Sequence, residues 1–391
     1  MKIIRILTLI AVSIITINGM AQDTLFSNVL KKNINHFTVD NGFSGEGWDK
    51  IIQQSKESQY VLIGEDHFIH EVPVFTSALV EEVSFDNYIC EVDPWTLEII
   101  ESKMTNLPAP ELTNWKNENA NELSFFQKEP EFDMLQRMVD KGINLIGLEQ
   151  VGLISTTIIF EHLSTVGYKG NRNLYKQLKD SSLVYSRGFV QDQKPYFMRS
   201  DFFMAILEML DYDNMLVEEA RAIDAIKRSA EIYKTGSHSM RIKLMHENMF
   251  YYYGNHLKGK RNLFKFGANH PMKGESYLPI YDIGNTAHVM SQSEGGESLH
   301  ILILPKSGEQ AGFIDGKSKI DYSSGLYKSL MPFFNASHDE KWTVIDLNEM
   351  RRYLRKHRYN FEDSYLEKTI KGYDLMVVIP EATAAEPLGA N

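Results

Sequence analysis

Residues 60–71 read Tyr-Val-Leu-Ile-Gly-Glu-Asp-His-Phe-Ile-His-Glu. A short apolar run stops at Gly64 and passes straight into Glu65, Asp66, His67, His70 and Glu71. A run this brief and continuous fits a strand buried on both faces of a parallel or mixed sheet. Val74 to Val83 then follows at helical spacing, so the stretch reads as strand, turn and helix. Gly64 turns the chain without a Cβ penalty, the helix start offers amide groups to an anion, and ligands of open α/β sheets gather at the carboxyl ends of strands. Taken alone, the segment suits a plain reading equally well, with Glu65 or Asp66 capping the helix and the histidines hydrogen-bonded at the surface.

The same pattern recurs. Asn87–Cys90, Asn144–Gly147, Asn262–Phe266, Leu299–Leu304, Trp342–Asp346 and Asp374–Ile379 are short apolar runs bounded by turn residues, and helical spacing lies between several of them, as in Phe132–Val139. Strand–helix alternation predicts an α/β fold, a mixed and mostly parallel sheet flanked by helices. Two segments break the rhythm. Thr105–Glu131 is polar and proline-bearing, with Trp115 and Phe125-Phe126 as isolated anchors, and reads as a loop or lid with short helices. Residues 155–258 lack strand patterns and read as a large helical insertion into one domain spanning 22–391. The tail from Ala382 to Asn391, small and polar, is expected to be frayed.

At the other end, Met1-Lys-Ile-Ile-Arg5 carries two positive charges, Ile6–Ile17 is largely apolar, and Gly19-Met20-Ala21 supplies small residues. This is the pattern of a secretory signal peptide over 1–21, cleaved after Ala21, and it predicts export to the periplasm or medium. No later run is apolar for long enough to cross a bilayer. Loss of Lys2 and Arg5 would deepen the net charge from −11 to −13. That balance disfavours nucleic acid or an anionic membrane as partner and leaves a small-molecule substrate. Cys90 is the only cysteine, so no intrachain disulfide forms. It lies inside Tyr88-Ile-Cys-Glu-Val92 and reads as a buried hydrophobe rather than a nucleophile.

Candidate site residues fall at run ends. Glu91 continues an apolar run with no loop residue before it, which puts its carboxylate at the sheet rim beside the end of the first strand. Buried there, it must be paired or shifted in pKa. Asp93, before Pro94, reads as a turn residue. Glu149 ends Ile146-Gly-Leu-Glu149, where it could also cap a helix. Phe266-Gly-Ala-Asn-His270 again runs from strand into glycine and histidine. Upstream, Arg241, Met245, Asn248 and Met249 share one helical face, an odd company for a solvated arginine.

These stretches resemble, in order, the motifs of the erythromycin esterase-like proteins. Gly64-Glu65…His67…Glu71 is similar to their first strand end, Cys90-Glu91-Val92-Asp93 to their second and Leu145–Glu149 to their third. Arg241…Met245-His246-Glu247-Asn248 is similar to their Arg-Asp-x-x-Met-x-x-Asn helix, and Phe266–His270 to their histidine-bearing strand end. The likeness spans about residues 58–380. It implies a hydrolase without a cofactor, in which His67 is the general base on a water, Glu65 or Glu91 orients it, and Arg241 and His270 stabilise the oxyanion of an ester or lactone. Glu71, Asn269, Asn248 and Glu149 would then bind substrate. One residue is missing between Glu65 and His67, Phe68 replaces a glycine and would narrow the pocket, and Ala268 replaces a histidine. The resulting Gly-Glu-x-His spacing is closer to that of haem-uptake and Tiki-type proteins, which belong with TraB-like proteins to a wider clan that the same sheet resembles.

Two rivals stand beside this reading. Glu65, His67, Glu91 and His270 could ligate zinc or manganese in a metal-dependent hydrolase. Alternatively, histidine and the aromatic pairs Tyr251-Tyr-Tyr253, Phe202-Phe203 and Tyr196-Phe197 could serve a non-catalytic haem- or ligand-binding protein. A serine nucleophile is not indicated, because no Gly-x-Ser-x-Gly elbow occurs.

Overall fold

The computed structural model of the chain describes residues 24–192, 197–313 and 316–389. The leader expected at 1–21 and Tyr196 lie outside the described residues. In chain order the elements are α1 (24–32), β1 (Ile34–Phe37), α2 (Glu46–Glu57), β2 (Tyr60–Glu65), α3 (Glu71–Glu82), β3 (Asn87–Cys90), α4 (Pro94–Asn106), α5 (Ala109–Glu118), α6 (Glu129–Asp140) and β4 (Asn144–Gly147). Then come α7 (Thr156–Val166), α8 (Arg172–Asp192), α9 (Asp201–Glu208), α10 (Val217–Thr235), α11 (His238–Tyr252), β5 (Asn262–Gly267), α12 (Ile283–Ser293), β6 (Ser298–Pro305), β7 (Glu309–Ala311) and β8 (Lys317–Lys319). The chain closes with α13 (Met331–Ala336), β9 (Trp342–Asp346), α14 (Leu347–Lys356), α15 (Ser364–Gly372) and β10 (Leu375–Ile379).

Eight strands form one sheet in the order β1-β9-β10-β6-β2-β5-β3-β4. Every pair from β10 through β4 is parallel, and β9 runs antiparallel to both β10 and β1. The fold is therefore α/β with a mixed, mostly parallel sheet. All seven apolar runs are strands. β1 escaped the reading because Ile-Asn-His-Phe is half polar and sits at an edge, where only one partner is needed. The two-stranded β7–β8 sheet is three residues a side and polar, too short for a periodic signal.

Burial on both faces explains the unbroken runs. Along β2, Val61 and Ile63 join the core on one face, and Tyr60 and Leu62 the core on the other. β10 does the same with Leu375, Val377 and Ile379 against Met376 and Val378. The helices α7–α10 pack into the first of these cores through Ile158, Phe160, Tyr175 and Ile223, whereas α11 crosses to the other face with Ile242, Met245 and Met249. No helix among the described residues is long and apolar enough to cross a membrane.

The tail is not frayed. Ala384 pairs with Ile69 and Pro387 with Lys128, and Ala385 and Leu388 are buried. Main-chain bonds join Thr383 O to His70 N, Phe68 O to Ala385 N, Glu386 O to Glu129 N and Gln127 O to Leu388 N. Small side chains are what let this segment lie flat against its neighbours, so a composition that reads as loose is here a packing requirement. Deleting residues 382–391 removes these four bonds, each worth about 1 kcal/mol net. The expected loss is on the order of 2 kcal/mol after chain entropy is regained, read as a lower denaturation midpoint with β-sheet circular dichroism retained. An unchanged midpoint would show that the tail is only laid on the surface.

Candidate active site

β5 lies between β2 and β3, so Glu91 is not beside the first strand as the sequence suggested. The gap is bridged by Gly267, the last residue of β5. Its N–H donates to Glu91 Oε2 at 2.7 Å. A Cβ there would stand 2.6 Å from His67 Nε2 and 3.5 Å from Glu91 Oε2, so only glycine lets the imidazole and carboxylate approach across the middle strand.

The carboxylate of Glu91 is the hub. Oε1 accepts from Arg241 Nη2 at 2.5 Å and faces His270 Nε2 at 3.4 Å. Oε2, besides the Gly267 bond, faces His67 Nε2 at 3.6 Å. Each of these cationic partners meets a second carboxylate. His67 Nδ1 contacts Glu65 Oε1 at 3.0 Å, and His270 Nδ1 contacts Asp282 Oδ2 at 3.0 Å. Arg241 Nε lies 3.0 Å from both oxygens of Glu149, and Nη2 also donates to Oε2. Behind Glu65 sits a buried lysine. Lys265 Nζ donates to Glu65 Oε1 and to Glu131 Oε1, both at 2.7 Å. Charges thus alternate from Glu131 through Lys265, Glu65, His67 and Glu91 to His270 and Asp282.

This alternation sets protonation. Burial alone would lower the pKa of His67, but the Glu91 charge and the Glu65 hydrogen bond outweigh it and raise it. Burial also opposes the His270 cation, yet Glu91 and Asp282 carry its pKa to about 10. Glu91 is held well below the usual range, against burial, by His270, His67 and Arg241. Glu65 is lowered likewise by Lys265 and His67. Cys90 is buried and its thiol is pushed up by desolvation.

The structure therefore brings His67, Glu65, Glu91, His270, Arg241 and Glu149 together, and it revises several roles. His270, with Nδ1 on Asp282 and Nε2 facing Glu91, is only 5% accessible, so it is enclosed away from any oxyanion. The carboxylates of Glu91 and Glu65 raise the pKa of His67, which favours its protonated form and opposes its assignment as base. Glu71 does not face the cluster: its carboxylate accepts from Thr383 N at 3.0 Å and Thr383 Oγ1 at 2.7 Å, tying down the tail. Asn248 donates to Leu148 O at 2.9 Å and supports the end of β4. Asn269 sits between Gly267 and His270 with Oδ1 buried and unpartnered. Asp93 caps α4 by accepting from Thr96 N, as a turn residue would. Residues 383–385 pair with Phe68, Ile69 and His70, immediately before the helix start that the sequence offered to an anion.

Lys265, Glu131 and Asp282 were not singled out. A lysine inside Leu-Phe-Lys-Phe was the visible signal for the first, since a buried cation demands carboxylates. Glu131 and Asp282 carried no such mark. The Thr105–Glu131 segment contributes Phe125, whose ring centroid lies 4.6 Å from that of His67. Phe68, Phe125 and Phe313 stack with Ala311 and Ala384 into a small apolar roof.

The metal reading does not fit. Among the described residues no group of three or more His, Cys, Asp or Glu side chains has metal-holding geometry. Lys265 and Arg241 already supply the positive charge that the carboxylates require. The aromatic partners of the haem reading are also elsewhere. Asn87, the first residue of β3, bonds His256 O at 2.8 Å, so Tyr251–Tyr253 flank the amino ends of the strands, opposite the cluster. Phe203 is core.

No protein-family model matches the sequence, and no curated protein resembles it. Solved structures do. An erythromycin esterase in its open conformation matches at TM-score 0.59 and 11% identity, over 91% of this chain and 99% of that one. A succinoglycan biosynthesis protein matches at 0.58 and 12%, over 93% and 98%. A Bacillus cereus protein matches at 0.56 and 14%, over 93% and 98%. At these identities the likeness is one of fold, extending over nearly the whole chain.

Two tests follow. Gly267→Ala should part His67 from Glu91, drop the His67 pKa seen by ring NMR, and leave the sheet intact; an unmoved titration would mean the hub tolerates a methyl group. The second concerns alkaline pH. The folded-state pKa of His270, about 10, exceeds the ordinary 6.5, so its stabilisation is complete below about pH 6.5 and is lost as pH rises toward about 10. Denaturation midpoints should fall across that window, and His270→Gln should flatten the fall.

Proposed function

We propose that the protein is an exported hydrolase acting on an ester or lactone carbonyl, with His67 and Arg241 as the groups presented to substrate. The observation that carries this is their exposure. Within a network otherwise buried to a few per cent, the His67 and Arg241 side chains remain 27% and 24% accessible. Both are cationic donors anchored to the same carboxylate, so both can serve a substrate oxygen while staying fixed. Arg241 uses Nε and Nη2 on Glu149 and Glu91, and Nη1 has no acceptor among the described residues.

Arg241 Nη1 would donate to the carbonyl oxygen as negative charge develops there, the kind of contact worth ~10²–10³ in rate. His67, as an imidazolium, would protonate the departing alkoxide, and Glu65 would keep its ring in place. The shared fold with an erythromycin esterase supports the same reading without fixing the substrate. The Phe68–Phe125–Phe313 roof favours an apolar group beside the reacting carbonyl.

A panel of p-nitrophenyl esters and of lactones of increasing ring size tests this directly. Wild-type protein should turn over at least one class, and His67→Gln should lower kcat/KM by ~10²–10⁴ with the fold retained by circular dichroism. Because the acid form is required, the rate should fall as pH rises through the raised His67 pKa. No turnover across the panel, or full activity of the His67 variant, would defeat the assignment.

A further inference from the structure

A hydrolytic site built from held cations lacks a proton acceptor for the attacking water. The groups around the hub are spent. Glu65 is bonded to Lys265 and His67, Glu149 to Arg241 and Gln150 N, and Asp282 to His270 and Ile283 N. One imidazole of this neighbourhood stands apart. His238 is the first residue of α11, one turn before Arg241 and so on the same side of the helix. Its ring stacks on that of His270, with centroids 5.8 Å apart and planes at 28°. It is half-buried, and its Nε2 is enclosed without a hydrogen-bond partner.

Four charged or titratable groups face His238. Arg241 comes from its own helix, His270 from the turn after β5, Asp282 from the start of α12, and Glu149 from the end of β4. The two carboxylates already serve Arg241 and His270. The cations remain to repel a second proton, and the open N–H groups of a helix start disfavour positive charge as well. Burial lowers the His238 pKa first, and His270 and Arg241 lower it further. His67 and His238 are therefore pushed in opposite directions within one site, which is how proteins separate an acid from a base.

We propose that His238 is the proton acceptor of this site, the neutral imidazole that takes a proton from water as it attacks the carbonyl. The inference rests on the hydrolase reading above and completes it. In the first step water oxygen bonds to the carbonyl carbon, the carbonyl π pair moves to oxygen beside Arg241, and the water proton passes to His238. In the second the carbon–oxygen ester bond breaks, its electron pair leaves with the alkoxide, and His67 supplies the proton. The products are acid and alcohol. One proton has moved from water to His238 and one from His67 to the alcohol, and exchange of a proton from His238 to His67 through solvent resets the site.

The pH profile separates His238 from His67 as base. With His238, kcat/KM should reach its plateau below about pH 6.5, and His238→Gln should lower the plateau ~10²–10⁴-fold while thermal midpoint and KM stay near wild type. Added imidazole should restore part of the rate in His238→Gly. An acid limb lying above pH 7 in the wild type, or a His238→Gln variant of undiminished rate, would overturn the assignment while leaving hydrolysis in place. Ring NMR of histidine-labelled wild-type protein needs no substrate. His238 should titrate below 6.5, His67 above it and His270 at about 10. A protonated His238 at pH 7 would overturn the proposal even if the substrate panel failed and took the hydrolase reading with it.

Discussion

Everything at the carboxyl edge of the sheet depends on one buried anion. Moving a carboxylate out of water is costly, several kcal/mol even after relaxation, unless donors replace the lost solvation. Glu91 finds them in four separate segments: the turn after β2, the helix α11, the last amide of β5 and the turn after it. The amide of Gly267 is fixed by β5, but the three side-chain donors are not fixed by their own segments. Each of these is oriented because it also meets a second acid, Glu65, Glu149 or Asp282. The consequence is a rigid, sign-alternating lattice in which removing any member leaves a neighbour uncompensated. Such lattices are poor contributors to net stability, and their value lies in holding charged groups in fixed protonation states.

Over this lattice lies a roof that is locally strained. Phe68 adopts φ 63, a left-handed conformation that an L side chain occupies at about 1–2 kcal/mol. Burying its ring against Phe125 and Phe313 returns about 1.5–3 kcal/mol, enough to hold the conformation. A glycine would reach the same turn without strain but would remove the ring that covers His67. Asp66, adjacent, accepts from Tyr322 at 3.0 Å and Gln310 at 3.4 Å, which ties the β7–β8 side of the roof to the same turn.

The strands were legible because each is buried on both faces, so apolarity alone marks it. Their ends were legible for the same reason: Glu91 and His270 stand out as polar groups in places that cannot be solvated. What sequence could not give is adjacency. The order β2-β5-β3 inserts a late strand between two early ones, and no local pattern announces that crossover. Without it the need for Gly267 is invisible, and His270 looks free to bind an oxyanion when Asp282 already holds its far nitrogen. His238 was missed on similar grounds. It opens a helix among polar residues, and its significance comes only from the ring stacked on it. The small, polar composition of the tail suggests looseness, whereas in the fold it serves flat packing.

The inserted strand also governs how the molecule can be made. Lys265 and Glu65 are 200 positions apart, and Arg241 and Glu91 are 150 apart. Until β5 arrives, β2 and β3 have a vacant lane between them and two unsatisfied edges that any extended chain could join. Ribosomal synthesis delivers that strand only after the whole run of α7–α11, so the nascent protein spends a long part of its elongation with its centre open. Contacts of such long range close slowly. A cell producing this chain would have to keep it from sticking to its neighbours until the middle piece slides home.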